Sequence, residues 1–214
     1  MKIRSFFRGF DITDSLSFPG LAPSKCTFCD IICVREESVL SVNYASIRKC
    51  DIANGEGVRV SLFVSGCTHR CKGCFNEEAQ AFDYGEPFTR EVEDSILKSL
   101  EPDFIAGLTL LGGEPMEPEN QRVLVPFLRR FREKFGERKT LWVYTGCIWE
   151  KLRGKSEEVR VADGDSYRWR IEVTDEFLSM IDVLVDGPFV EDLKDISLRF
   201  RGSSNQRILE LKKA

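Results

Sequence analysis

Three cysteines at CxxxCxxC spacing, Cys67-Thr-His-Arg-Cys71-Lys-Gly-Cys74, are the residues of this chain best suited to chemistry. Thiolates at this spacing can hold three irons of a 4Fe-4S cluster, and the motif then offers the fourth iron no ligand. An open iron can bind and reduce a small molecule. Spacing alone also admits zinc, although structural zinc takes four closed ligands and usually draws them from two pairs. Here the triplet has no obvious fourth partner, and Cys50 and Cys147 are isolated. A second signal is Gly112-Gly-Glu-Pro115. Paired glycines let backbone come close to a ligand, Glu114 can accept hydrogen bonds from a ligand ammonium, and Pro115 stiffens the exit. The same four residues would also serve as an ordinary strand-to-helix turn.

These residues need a frame. Val58–Val64, Gly107–Leu111, Thr140–Thr145 and Met180–Val185 read as apolar strands. Thr89 is placed to cap a helix with Val92, Ile96, Leu97 and Leu100 on one face. Val123, Leu124, Phe127, Leu128, Phe131 and Phe135 mark a second helix, in which Pro126 is either a kink or the start. Residues 156–173, with Ala162-Asp-Gly-Asp165 between alternating segments, suggest an inserted hairpin. Strands alternating with helices predict an α/β fold with a mainly parallel sheet. Ligands in such folds gather at the carboxyl ends of the strands, where Cys67, Gly112, Thr145 and Asp186 all stand.

Composition narrows the classes. The formal charge of −4 argues against binding nucleic acid by phosphate neutralisation. No apolar run approaches the roughly 18–20 residues of a membrane span, and the basic N-terminus lacks the apolar core of a secretory signal. A cytoplasmic protein is expected, in which eight cysteines point to metal or redox chemistry rather than disulfides. The single histidine, His69, excludes multi-histidine metal centres.

The triplet after one strand and the Gly-Gly-Glu-Pro run after a later one resemble the radical S-adenosylmethionine superfamily. Within it, Asp51–Gly57, Leu62–Cys67, Cys71–Asn76, Pro87–Thr89, Val183–Gly187, Phe189–Asp195 and Arg201-Gly-Ser-Ser-Asn-Gln206 resemble the activating proteins of anaerobic ribonucleoside-triphosphate reductases, over about residues 42–214. The resemblance implies a shortened, open (β/α) partial barrel of the radical S-adenosylmethionine type, an enzyme with a 4Fe-4S cluster and S-adenosyl-L-methionine as cofactors. In that family the open iron binds the amino and carboxylate groups of S-adenosylmethionine, and one electron from the cluster cleaves it to methionine and a 5′-deoxyadenosyl radical. That radical takes hydrogen from a C-terminal glycine of the reductase large subunit, leaving a glycyl radical. By position, Cys67, Cys71 and Cys74 are the implied cluster ligands. Gly73, Cys74 and Phe75 would line the S-adenosylmethionine site, and Gly112, Gly113 and Glu114 would hold its methionine end. The implied partners are that large subunit and a flavodoxin-like electron donor, with a homodimer or a complex with the reductase dimer as the assembly. Another glycyl-radical activase, or a non-catalytic iron–sulfur or zinc module, is the alternative.

Residues 1–41 have no counterpart in the resemblance. They are expected to be a poorly ordered extension, or not translated if synthesis starts at Val42. Their Cys26, Cys29 and Cys33 lack the features surrounding the first triplet and are not expected to hold a cluster. His69 is expected to face solvent, and Cys147 to be a packed small residue. Asp186 either bonds cofactor hydroxyls or caps a turn, and Arg129, Arg130 and Arg132 form a solvated helix face.

Overall fold

The computed structural model describes residues 42–154 and 169–211. The expected extension 1–41, with its three cysteines, and most of the hairpin expected at 156–173 lie outside the described residues. Seven strands form one sheet in the order β3-β1-β2-β4-β5-β6-β7. They are β1 (Asn43–Asp51), β2 (Val58–Val64), β3 (Glu86–Pro87), β4 (Ile105–Gly112), β5 (Thr140–Tyr144), β6 (Val183–Asp186) and β7 (Arg207–Glu210). The inner strands β2, β4, β5 and β6 are parallel. Antiparallel β1 and β3 extend one side and antiparallel β7 the other. The helices are α1 (Arg90–Ser99), α2 (Pro118–Phe135), α3 (Trp149–Arg153) and α4 (Thr174–Ser179).

Along the parallel strands the order advances one place at each crossover and never reverses, so right-handed connections gather the helices on one face. Alternation along each strand divides its residues between the two faces. Val60, Leu62, Val64, Leu108, Leu110, Leu141, Val143 and Leu184 join Ile96, Leu124, Phe127, Phe131 and Phe177 of the helices in one buried core. Their strand neighbours Arg59, Ser61, Phe63, Thr109, Leu111, Trp142 and Tyr144 belong to the opposite face, where register sets Ser61 beside Thr109 and Thr109 beside Trp142. The parallel direction brings the ends of β2, β4, β5 and β6 to one edge.

Arg59 ties the floor of that second face together. It is fully buried, and its guanidinium donates to Thr109 Oγ1 (2.7 Å), Thr140 Oγ1 (3.0 Å), Leu108 O (2.8 Å), Thr140 O (2.9 Å) and Glu56 O (3.2 Å). Burial lowers its pKa to about 10, because desolvation disfavours the charged form. Removing five donors leaves several buried acceptors unsatisfied, each costing about 1–3 kcal/mol. Arg59→Leu is therefore expected to lower the unfolding free energy by about 3 kcal/mol or more. An unchanged denaturation midpoint would contradict this role.

Pro118 starts α2 and Pro126 lies inside it. Of the α2 arginines expected on a solvated face, Arg129 is exposed, whereas Arg130 and Arg132 are half-buried, and all three are paired. Arg129 pairs with Glu176 of α4, Arg130 with Glu93 and Asp94 of α1, and Arg132 with Asp182 ahead of β6. They hold α2 to its neighbours, and the exposed pairs contribute modestly.

Candidate metal and ligand site

The chain leaves β2 into the cysteine loop. Arg70 (φ 50°) and Gly73 (φ 69°) take left-handed backbone there, a conformation that turns the chain back on itself. Cys67, Cys71 and Cys74 all line one cavity. Burial, and after it the Glu114 carboxylate, pushes the Cys67 thiol up to about 12; burial also raises Cys71. A metal binding here therefore displaces protons from the thiols.

The Gly-Gly turn lies directly against this loop. Gly113 N–H donates to Val64 O (2.7 Å), and Glu114 N–H to Gly66 O (2.8 Å). A Cβ on Gly113 would stand 2.5 Å from Gly66 O and 2.7 Å from Ala79 O, so no side chain fits. Glu114, 1% exposed, has both carboxylate oxygens engaged. Its Oε1 accepts from Met116 N–H (2.8 Å). Its Oε2 accepts from Gly146 N–H (2.8 Å) and lies 3.1 Å from His69 Nε2. Three residues on, Glu117 Oε1 accepts from both the N–H and the hydroxyl of Thr68 (2.6 Å each). The two acids after the glycines thus hold Thr68 and His69, and through them the cysteine loop.

His69 departs from the expectation of a solvent-facing residue. Its side chain is 17% exposed and stacks on Trp169, with ring centroids 4.5 Å apart and planes 10° apart. A Cβ on Gly146 would stand 2.7 Å from its ring. Cys147 is buried, as expected, with Sγ 3.7 Å from His69 Nε2, and burial pushes its thiol up. Donor atoms of His69, Glu114 and Cys147 lie within 4.8 Å of one another, a grouping that the Glu114 hydrogen bonds explain. Asp186 is buried and engaged: its Oδ2 accepts from the N–H of Trp149, the first residue of α3 (2.8 Å), and its Oδ1 from Arg207 Nε of β7 (2.9 Å).

The cavity, about 510 Å³, brings together Cys67, Cys71, Cys74, Phe75, Gly112, Gly113 and Glu114 with Phe63, Leu111 and Tyr144 of the sheet. Gly73 is not among its lining residues; a Cβ there would meet Glu191 Oε1 at 2.8 Å. Phe75 is no core residue: it is 62% exposed and packs on Phe189 (centroids 5.2 Å apart), with Lys194 Nζ 4.6 Å from its ring. Residues 187–206 form a strap along one side. Gln206 fastens its ends, accepting from the N–H groups of Gly202 (2.8 Å) and Ser203 (3.1 Å) and donating to Gly187 O (3.1 Å). Sequence reasoning missed Glu117, Trp169 and Tyr144. A second acid just past Gly-Gly-Glu-Pro could have suggested Glu117, whereas Trp169 follows the insertion and carries no motif.

Three thiols beside a glycine cradle suit a metal cluster with a small ligand against it. Tyr144, which lines the cavity, has a buried hydroxyl with no partner among the described residues, as a site for a polar ligand would leave. The fold and site define an α/β iron–sulfur protein, and residues 53–209 match the 4Fe-4S single cluster domain family. An anaerobic ribonucleoside-triphosphate reductase-activating protein of Pasteurella multocida (strain Pm70) is 41% identical over 78% of this chain and 96% of its own length. Its namesake in Escherichia coli (strain K12) is 39% identical over 80% of this chain and 100% of its own. That of Enterobacteria phage T4 is 33% identical over 78% and 93%. The chain belongs to the family of anaerobic ribonucleoside-triphosphate reductase-activating proteins.

Proposed function

We propose that this chain does what its relatives are named for and activates an anaerobic ribonucleoside-triphosphate reductase, by generating a glycyl radical on the reductase large subunit. The observation that carries the reading is the close approach of Gly113 to the cysteine loop, where an added Cβ would stand 2.5 Å from Gly66 O. It supports the reading because backbone free of side chains then lies beside the thiols that would hold the cluster. In this reading Cys67, Cys71 and Cys74 bind the 4Fe-4S cluster, Gly112, Gly113 and Glu114 hold the methionine end of S-adenosylmethionine, and Cys74 and Phe75 line the rest, with Gly73 serving the turn between Cys71 and Cys74 rather than the lining. When bound, the cluster supplies the electron for reductive cleavage of S-adenosylmethionine and so for hydrogen abstraction from the glycine. Glu114 shapes that pocket by fixing Gly146 and His69, and Glu117 holds Thr68 in place. Phe63, Leu111 and Tyr144 form a largely apolar wall that limits water around the reacting atoms.

The architecture is a shortened, open partial barrel of the radical S-adenosylmethionine type. Its support is the one-way strand order together with β3 and β7, each paired on one side only among the described residues. An open side suits a substrate that is a segment of another protein. The protein would work in the cytoplasm, in line with the absence of any membrane-crossing helix among the described residues. A flavodoxin-like donor would reduce it, and a homodimer or a complex with the reductase dimer would be the working assembly. Residues 1–41 would be an extension outside the activase domain, 42–214, and 156–173 an insertion within it.

The test is anaerobic reconstitution followed by dithionite and S-adenosylmethionine, with 5′-deoxyadenosine and electron paramagnetic resonance followed with and without the reductase. Cleavage together with a glycyl radical on the reductase is expected. No cleavage would sink the reading, and cleavage without a radical on the reductase would favour another target.

A further inference from the structure

Register sets Phe63 of β2 beside Leu111 of β4, and Leu110 beside Val143 of β5, so Tyr144 continues the row that Phe63 and Leu111 begin. All three line the cavity. Phe63 and Leu111 offer it only carbon. Tyr144 carries a hydroxyl that is buried and has no hydrogen-bond partner among the described residues. Ser61 Oγ and Asn120 Oδ1 share that condition, but neither residue lines the cavity.

The charged neighbours of Tyr144 do not supply the partner. The fields of Arg59 and Asp51 reach the phenol, yet both groups are committed elsewhere. Every N–H of the Arg59 guanidinium goes to Thr109, Thr140, Leu108 or Glu56. The Asp51 carboxylate accepts from Ala53 N–H (2.9 Å) and Asn54 Nδ2 (2.6 Å). Burial raises the pKa of the phenol, and the opposing charge of Arg59 does not offset it. The hydroxyl is therefore neutral at ordinary pH and able to donate. A buried polar group without a partner is costly, and native proteins pair nearly all of them. One that borders a cavity can be paired by what fills the cavity.

We propose that the Tyr144 hydroxyl holds the occupant of the cavity by donating a hydrogen bond to one of its acceptor oxygens. The assignment rests on the functional reading above, which offers two sources of that oxygen: a ribose hydroxyl of S-adenosylmethionine, or a main-chain carbonyl of the reductase segment that carries the glycine. A single donor in a row otherwise made of carbon fixes position as well as affinity, because an occupant seated elsewhere leaves the hydroxyl unpaired.

Tyr144→Phe removes the oxygen and keeps the ring. Full-length reconstituted protein is compared with wild type in its thermal unfolding midpoint without S-adenosylmethionine, and in its equilibrium affinity for S-adenosylmethionine without reductase. The reductase concentration giving half-maximal glycyl-radical yield is measured at saturating S-adenosylmethionine. The midpoint is expected to stay or rise, since an unpaired buried hydroxyl does not stabilise the fold. One of the two affinities is expected to weaken about tenfold, as loss of a buried hydrogen-bond donor does. Weaker S-adenosylmethionine binding would assign the acceptor to the ribose, and a weaker response to reductase alone would assign it to the carbonyl. Wild-type values in both arms would overturn the proposal and leave the functional reading standing. A lowered midpoint would overturn it too, by showing that the hydroxyl is already paired within the chain. A wild-type protein that neither binds nor cleaves S-adenosylmethionine would overturn the functional reading, and the proposal with it.

Discussion

Gly113→Ala is expected to cut S-adenosylmethionine cleavage by about 100-fold or more while the chain stays folded. The added Cβ would stand 2.5 Å from Gly66 O and 2.7 Å from Ala79 O, where real contacts stay above 3.0 Å. Both obstacles are backbone, so no side chain can swing aside. Overpacking of this kind costs about 1–3 kcal/mol, which a sheet with its helical core on the opposite face can tolerate. Relief must come from moving Gly66, the residue before Cys67, or from opening the Glu114 N–H to Gly66 O bond (2.8 Å). Either shift displaces Cys67, a cluster ligand in the proposed function, relative to the cradle, and an error near 1 Å between reacting groups is worth about that loss in rate. The check is the rate of 5′-deoxyadenosine formation in a variant shown by thermal unfolding to be folded. A wild-type rate would mean that this contact does not position the site.

Glu114→Ala is expected to be the most damaging single change to the site's frame. Its carboxylate is buried and serves Met116 N–H, Gly146 N–H and His69 at once. Removing an engaged buried carboxylate costs about 3–5 kcal/mol. Glu114→Gln is expected to recover only part of this. One amide oxygen can keep one set of donors, but the NH2 group then faces another N–H. His69→Ala should cost less, about 1–2 kcal/mol, since it removes one partner and a ring stack. Denaturant unfolding and iron content after reconstitution give the ranking. An order in which His69→Ala exceeds Glu114→Ala would contradict Glu114 as the hub.

The parallel strands were legible because each is a short apolar run ended by a turn, as Val58–Val64 and Thr140–Tyr144 illustrate. β1 and β7 were not. Asn43–Asp51, second from one side of the sheet, and Arg207–Glu210, at the other edge, are polar strands with little buried area, so no apolar run marks them. The three cysteines and the Gly112–Gly113 pair that meet at one cavity could be picked out beforehand because local spacing marks them, whereas Gly73 lies outside its lining. The hub could not: Glu114 meets Gly146 and His69 only when β2, β4 and β5 end at the same edge. His69 was misjudged for that reason, since a loop position says nothing of a tryptophan a hundred residues onward. The ion pairs of the α2 arginines were not legible either, because Glu93, Asp182 and Glu176 become their partners only through packing. The Arg201–Gln206 block was recognisable as a motif, yet its work, fastening a strap to Gly187, is visible only in three dimensions.

In the proposed function, hydrogen leaves a reductase glycine by way of S-adenosylmethionine bound in this cavity. The most direct measurement uses reductase carrying deuterated glycine, reconstituted wild-type protein and unlabelled S-adenosylmethionine under dithionite. Deuterium is expected in the 5′-deoxyadenosine that accumulates, together with a glycyl radical on the reductase. 5′-Deoxyadenosine that stays free of deuterium while the reductase acquires its radical would contradict the claim.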